Sequence, residues 1–369
     1  MPKICVISTA HSANDIRIYL KQIISLKNAG FEIVFLNKEK EGRDELGIEF
    51  KKVKIGRGWF ARQLLSPFRT FAVAKEQVAD AYHLHDPDLL LTGLLLRIHG
   101  KKVIYDAHED APRQMLGGCY SKSFKGKILS IYFEILLRSI TRFFTMNIVA
   151  APVLERVFAK YKGKAICITN YPKKEEFMEV DSSLVSKKSG VCYVGGISVQ
   201  RSVFEMIEAV SLSNTILKLA GGFSSNSLEK DCLSLEAWKQ NVEYYGFVNR
   251  EEAARIMAES VAGLVIFQPL PNHTEAMPNK MFEYMASGIP VIVSNFPLWK
   301  EIVEEDECGI CVNPLEINEI SKAISYLLEN QDIAERMGLN GKRLVDEKYN
   351  WKFEEAKLIE FYTKLFDSN

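Results

Sequence analysis

The segment Glu275–Ile292, EAMPNKMFEYMASGIPVI, constrains the fold more than any other stretch, because it encodes a loop, a short capped helix and a buried strand. Pro278 suits a first helical turn, where its missing N–H costs nothing. Gly288 suits the position just past the helix end, and Pro290 prevents continuation. The helix predicted here is about ten residues long. Helical spacing puts Met281, Phe282 and Met285 on one side and Asn279, Lys280, Glu283 and Ser287 on the other. One face is expected to pack and the other to meet a ligand.

The order of elements suggests which ligand. Ala262–Phe267 before the loop and Pro290–Ser294 after the helix are apolar, partly β-branched runs, as strands covered on both faces of a parallel sheet are. Open parallel sheets bind ligands beyond the carboxyl ends of their strands. The loop from Gln268 to Met277 and the first helical turn would sit at that edge, where free N–H groups and the positive helix end favour phosphate oxygens. Lys280 adds a full positive charge, and Glu283 offers a carboxylate able to accept from paired hydroxyls. Together they suit a sugar nucleotide. A second glycine-rich turn, Val194-Gly195-Gly196-Ile-Ser-Val-Gln-Arg201, lets backbone approach a phosphate closely while Arg201 reaches a diphosphate. Gly221-Gly222 could contact a base but reads better as a plain turn. Neither is a G-x-G-x-x-G or a P-loop, so dinucleotide binding and ATP hydrolysis gain no support.

At 369 residues the chain is long enough for two domains and hard to bury as one core. Strands are expected at Ile4–Ser8, Glu32–Leu36, Ala81–Leu84, Lys102–Tyr105 and near Asn147–Ala151, with amphipathic stretches such as Ile16–Ala29 between them. Leu89–Leu96 reads as a core helix. A second alternating set follows: Val191–Val194, Ile216–Ala220, Val242–Tyr245, Ala262–Phe267, Pro290–Ser294 and Gly309–Val312, with helices such as Arg250–Ser260 and Ile317–Glu329. Two doubly wound α/β domains are expected, residues 1–172 and 190–350. The Lys-, Glu- and Ser-rich stretch 173–189 serves as linker.

Composition excludes several classes. There are 47 Lys plus Arg and 47 Asp plus Glu, so no global charge argues for nucleic acid. The seven cysteines form no framework, and Cys308–Cys311 reads as strand interior rather than the start of a redox helix, which points to a reduced, cytoplasmic setting. No signal peptide and no spanning run are apparent. The basic-apolar stretches Arg57, Trp59, Phe60, Arg62, Phe68, Arg69 and Lys122, Lys125, Lys127, Arg138, Arg142 suit either a membrane surface, at the inner face, or ordinary solvated helices.

A polar cluster marks the first half: His83, His85, Asp86 and Asp88 in HLHDPDLL, then Asp106, His108, Glu109 and Asp110 in YDAHEDAP. His83 and His85 share a strand face, so a metal is conceivable. No H-E-x-x-H occurs, however, and Pro87 makes a turn in which Asp86 and Asp88 would act as caps. No metal is expected. His11, Asn14, Asp15 and Arg17 fall on the first strand-to-helix loop, where Asp15 can cap the helix from Ile16.

These motifs resemble those of retaining glycosyltransferases of the GT-B fold, family four (glycosyl transferases group 1). Glu275 and Glu283 have the spacing of its E-x7-E segment, PNKMFEYMASGIPVI is similar to its PNKxFEYMAxGxPVI, and both first-domain stretches are similar to HxHDPDLL and YDxHED. The resemblance implies α/β architecture with two Rossmann-like domains facing each other across a cleft, and a final helix, within 351–369, packing on the first domain. It implies transfer of a sugar from a nucleoside-diphosphate sugar to a saccharide or lipid-linked saccharide acceptor, with no metal and no cofactor. Gly195, Gly196, Arg201, Asn279, Lys280 and Glu283 would bind the donor; His108, Glu275, Arg201 and Lys280 would act in catalysis; Asp15, Arg17 and Asp106 would meet the acceptor. Family members commonly carry a glycine after the residue at Arg201, where this chain has Ser202. Rival readings are a sugar-nucleotide epimerase or phosphorylase on the same architecture, and a non-catalytic partner subunit. The last would predict damage at Arg201, Lys280 and Glu283, and all three are present.

Overall fold

A computed structural model describes residues 1–56, 62, 65–116, 124–178 and 188–367. The chain divides into two compact units, Met1–Asn170 with Lys352–Asn369, and Tyr171–Trp351. Most of the expected linker, 179–187, lies outside the described residues, as do Arg57, Trp59, Phe60, Lys122 and the side chain of Lys125.

The first unit is built on eight strands: β1 Lys3–Ile7, β2 Glu32–Asn37, β3 Gly42–Arg43, β4 Glu49–Lys52, β5 Ala81–Leu84, β6 Lys102–Ala107, β7 Met146–Val149 and β8 Ala165–Cys167. Their order is β3-β4-β2-β1-β5-β6-β7-β8, parallel throughout except for β3 against β4. The five expected strands are present; β3, β4 and β8 were not anticipated. They are short and lie toward the sheet margins, and β8 is only half buried, so no long apolar run announces them. The amphipathic stretch after β1 splits into a π-helical segment, Ile16–Ile23, and an α-helix, Ile24–Asn28. The wide turn, seen in the Leu20 N–H donating to Asp15 O, goes with burial of Arg17, Lys21 and Gln22. The core helix forms at Leu90–Ile98 after a 3₁₀ turn at Pro87–Leu89. The helix Trp351–Asp367 belongs to this unit from Lys352 onward, and the buried Tyr362 hydroxyl on it is 2.9 Å from His83 Nδ1.

The second unit holds a six-stranded parallel sheet: β9 Val191–Val194, β10 Leu217–Ala220, β11 Val242–Gly246, β12 Ala262–Val265, β13 Val291–Ser294 and β14 Gly309–Val312, ordered β11-β10-β9-β12-β13-β14. Every one of these strands was expected. Successive residues alternate between two apolar layers, Val191 and Tyr193 on one side and Cys192 on the other, Ile292 opposite Val291 and Val293. Both faces are therefore covered, which is why the sequence reads as continuous apolar runs. Cys308 and Cys311 are unpaired, with Cys308 just before β14 and Cys311 within it. The helices Arg250–Ala258 and Ile317–Glu329 fall within a residue or two of expectation.

In each sheet the chain winds one way and then the other. The reversal falls between β1 and β5 in the first unit and between β9 and β12 in the second. Loops after those strands diverge at the carboxyl edge, and the crevice between them is where doubly wound sheets take ligands.

Candidate functional site

The loop after β9 carries Gly195, Gly196 and Arg201, and the loop after β12 leads into the helix Asn279–Ala286. That helix has eight residues, with Pro278 extended at the N-cap rather than inside the first turn. The sequence grouped Lys280 with the polar residues Asn279, Glu283 and Ser287, whereas the structure buries it. Positions 280 and 284 share a face, and Tyr284 is fully buried, its hydroxyl oxygen accepting from Val194 N–H at 2.9 Å. Lys280 is carried inward with it and is 8% exposed.

Its ammonium lies 3.7 Å from the centroid of the Tyr193 ring and 5.5 Å from that of Phe267. Among the described residues it has no hydrogen-bond partner. A Cβ on Gly195, whose φ is +134°, would sit 3.1 Å from that nitrogen, and one on Gly196 would sit 2.7 Å from Arg201 Nη1. The two glycines make room for the two cations. Arg201 Nη1 donates to Gly196 O at 2.9 Å, and its guanidinium lies over Phe267, 5.7 Å from the ring centroid. Burial, and then the neighbouring Arg201, push the Lys280 ammonium well below the ordinary lysine range. An anion arriving here would reverse both effects.

Ser202 answers the missing glycine. It adopts φ +51° and ψ +42°, the left-handed conformation a glycine would take freely, and is fully buried. Its Oγ accepts from Gln268 Nε2 at 2.9 Å; the same nitrogen donates to Glu205 Oε1 at 2.7 Å, and Gln268 N–H donates to Gln200 O at 2.9 Å. Residues from the β9 and β12 loops are thereby laced together across the switch point. The Gly221 N–H is tied to Gly246 O, which fixes the Gly221-Gly222 turn against the end of β11.

Glu283 is held by a residue the sequence did not single out. Arg250 Nη1 donates to Glu283 Oε1 at 2.8 Å, while Nε and Nη2 reach Glu176 Oε2, and the guanidinium covers the Phe177 ring. Arg250 opens a helix capped by Asn249, and only that local signal was visible. Asn279 begins the 279–286 helix, half-buried, and Glu275 lies half-buried in the loop before it.

In the first unit the residues after β1, β5 and β6 form a second polar group. Asp106 is fully buried and accepts from Arg17 Nε at 3.2 Å, Arg17 Nη2 at 2.8 Å and Gln22 Nε2 at 2.6 Å. Arg17 is itself 4% exposed. Expected as acceptor contacts, these two hold one another inside the unit instead. Asp15 caps the helix, its carboxylate accepting from Ile18 N–H at 2.9 Å. Asp86 and Asp88 do not act as caps: Asp86 turns to the loop after β1, and Asp88 pairs with Arg62 at 3.0 Å. His83 stacks on His85, and His85 Nδ1 is 3.1 Å from Nε2 of the partly exposed His108. Burial holds His83 and His108 at about 4 and His85 well below its ordinary value, so all three are neutral at pH 7. Ligand atoms of His83, His85 and Asp106 lie within 4.8 Å of one another. That carboxylate is already paired with Arg17, whose charge would oppose a cation.

Residues 174–344 match the family described as "Glycosyl transferases group 1". Among curated relatives, the MMP alpha-(1->4)-mannosyltransferase of Mycolicibacterium hassiacum is 29% identical over 115 residues, 31% of this chain and 27% of that protein. The chain thus spans about a quarter of the length of this relative. Among solved structures, the sucrose-phosphate synthase of Thermosynechococcus elongatus superimposes with a TM-score of 0.80 over 100% of both chains at 18% identity. Anabaena HepE, solved with UDP-glucose, gives 0.73 over 98% of this chain and 99% of that one at 15% identity. These likenesses show the fold, which is the two-unit α/β arrangement termed GT-B.

Proposed function

We propose, from the match of residues 174–344 to the glycosyl transferases group 1 family, that the chain moves a sugar from a nucleoside-diphosphate sugar to an acceptor hydroxyl with retention at the anomeric carbon. One observation carries this reading: the Lys280 ammonium, buried at the β9/β12 switch point beside Arg201 and two glycines and without a hydrogen-bond partner among the described residues. An unpaired buried ammonium is costly, and a diphosphate supplies the missing counter-charge. As the glycosidic bond breaks, the sugar becomes oxocarbenium-like and negative charge grows on the departing diphosphate. Lys280, Arg201 and the N-terminus of the helix Asn279–Ala286 stabilise that charge without a metal. Glu283, steadied by Arg250, takes the ribose hydroxyls, and Glu275 attends the transferred sugar.

The relative named as a mannosyltransferase and the neighbour solved with UDP-glucose make activated mannose and glucose the first donors to try. A thermal-shift screen over UDP, GDP, ADP and dTDP sugars tests the reading. A donor at a hundred times its Kd adds about 2.7 kcal/mol. We expect one nucleotide series to raise Tm saturably, and Lys280→Met to abolish the rise. A chain that no nucleotide stabilises, or a rise that survives in Lys280→Met and Arg201→Ala, removes the proposal.

A lipid-linked acceptor, in polysaccharide or glycolipid synthesis, is part of the same reading. No helix among the described residues is long and apolar enough to cross a membrane. The helix Phe124–Ile140 nonetheless exposes Phe124, Ile128, Ile131 and Ile135 at one-face spacing, with Lys127, Arg138 and Arg142 exposed nearby and a single exposed acid, Glu134. An exposed apolar stripe with basic neighbours suits an anionic bilayer surface. Flotation with anionic vesicles checks it; unchanged binding by an Ile131→Glu, Ile135→Glu double variant removes it.

A further inference from the structure

The loop between β12 and the helix Asn279–Ala286 carries a histidine to which the reading above gives no role. His273 is half-buried, and its ring lies 5.0 Å from that of Phe267, centroid to centroid. The same Phe267 ring has the Arg201 guanidinium 5.7 Å and the Lys280 ammonium 5.5 Å from its centroid. One aromatic ring thus gathers an imidazole and both cations of the proposed anion site. Main-chain bonds hold the imidazole there: His273 N–H donates to Leu270 O at 2.8 Å, and Leu270 N–H donates to Gln268 O at 2.7 Å. Gln268 is in turn bonded to Gln200 and Ser202, the residues on either side of Arg201.

The tautomer follows from one contact. His273 Nδ1 lies 3.0 Å from Gln268 O, which can only accept, so Nδ1 carries a proton in the neutral and the charged ring alike. All change on titration falls on Nε2. No group among the described residues hydrogen-bonds that nitrogen. We propose that His273 is a third contact for the diphosphate of the nucleotide sugar and that it binds as the imidazolium, so the chain takes up a proton when its substrate arrives. Water supplies the proton to Nε2, and the new N–H donates to a diphosphate oxygen. No bond within the substrate forms or breaks in this step. The inference rests on the transferase reading for the identity of the anion.

Charge fixes the direction of the effect. In the unliganded chain burial lowers the imidazole below its ordinary value, the bond to Gln268 O opposes this, and Arg201 is the charge that adds to it. Lys280 shares the Phe267 ring, and Glu275 stands two residues further along the same loop. A diphosphate beside the ring favours its charged form and offsets Arg201, which raises the imidazole in the complex. The complex therefore holds more protons than its separated parts. Affinity then rises as pH falls through the interval between the raised and the lowered values. A shift of one unit corresponds to about tenfold in affinity.

The experiment is calorimetric titration of the full chain at pH 8 and pH 5 with the nucleoside-diphosphate sugar that stabilises it. Both phosphates of such a compound are diesters, without the ionisation at about pH 6 of a terminal phosphate, so proton uptake belongs to the protein. Wild type is expected to bind up to about tenfold more tightly at pH 5, with uptake visible on changing to a buffer of different ionisation enthalpy. His273→Asn keeps an N–H for Gln268 O and cannot titrate. Its tightening and its uptake should both be smaller, and its loss of affinity greater at pH 5 than at pH 8. An anion raises Lys280 as well, but Lys280 remains in the variant, so the difference between the two proteins belongs to His273. His273→Gln, whose amide falls at the Nε2 position, is read the same way if asparagine unsettles the loop. A wild-type affinity that ignores pH, equal pH dependence in wild type and variant, or a loss of the same size at both pH values overturns the assignment and leaves the transferase reading intact. A wild-type chain that no nucleoside-diphosphate sugar stabilises overturns both.

Discussion

The two switch points share a topology and differ in how their charges are balanced. At the first, Asp106 lies against Arg17, Asp86 against His11 and Asp88 against Arg62, each acid within hydrogen-bond distance of a base. At the second, Lys280 has an aromatic ring beneath it and no hydrogen-bond partner among the described residues. Strand order alone marks both crevices as places for a ligand. Charge balance says which ligand. On the proposed function the self-paired crevice suits a neutral, hydroxyl-bearing molecule, whereas the crevice with a surplus cation suits an anion.

The contrast is most severely tested at its best-paired member. Arg17→Met leaves the Asp106 carboxylate buried with Gln22 as its hydrogen-bond donor and only neutral histidines within 4.0 Å, and breaking such a pair costs about 3–5 kcal/mol. Urea denaturation should show that loss, with the nucleotide-induced shift preserved. A loss below about 1 kcal/mol would mean that the pairing does not organise the first crevice. Lys280→Met should behave in the opposite sense. Turnover falls about 100- to 1,000-fold, by analogy with the loss of one oxyanion donor. The unliganded chain keeps or gains stability, because an apolar side chain of similar length replaces an uncompensated charge. If its unliganded Tm drops as far as that of Arg17→Met, the two crevices are alike and the comparison fails.

What the sequence could show follows the same physics. All six strands of the second sheet were readable because burial on both faces demands uninterrupted apolar runs. β3, β4 and β8 escaped because short marginal strands make no such demand. The residues of the proposed anion site were readable as types, since glycines beside cations imply close backbone approach. The orientation of Lys280 was not. Hydropathy assigns lysine to a wet face, and only the burial of Tyr284 one turn later reveals that this face is dry. Pairings were hidden for a different reason. Arg250 is 33 residues from Glu283 and 74 from Glu176, and His11 is 75 from Asp86. The last pair meets only because β1 and β5 lie side by side with Ile7 opposite Leu84, a register no local pattern encodes.

Acid titration sharpens the contrast further. His83 is held at about 4 by burial, below its unfolded value of about 6.5. Between those values the unfolded chain binds more protons than the folded one, so stability increases with pH across that window and is lost as pH falls through it. The expected loss from His83 is about 3 kcal/mol by pH 4. His11 runs the other way: its raised value adds stability that is full below about pH 6.5 and lost as pH climbs through the folded value. Tm measured from pH 7 to pH 4 should therefore decline, and a His83→Gln variant should decline less. A flat wild-type profile would show that the histidines of the first crevice are not kept neutral by burial.

The smallest effect is expected at Ser202. Left-handed backbone costs an L-residue about 1–2 kcal/mol, which glycine avoids. Against this, Ser202→Gly forfeits the bond from Gln268, worth about 0.5–1.5 kcal/mol, and adds the greater flexibility of the unfolded glycine chain. The terms nearly cancel, so stability should change by less than about 1 kcal/mol and turnover by less than about threefold. Ser202→Val keeps the strain and loses the bond, and should be clearly worse on both measures. That ordering would show that serine, backed by Gln268, gives the loop the shape a glycine would have given, and keeps Arg201 beside Gly196. A Ser202→Gly loss beyond about 2 kcal/mol would instead make the Gln268 bond the element that joins the β9 and β12 loops, and the second crevice would then depend on side-chain pairing as much as the first.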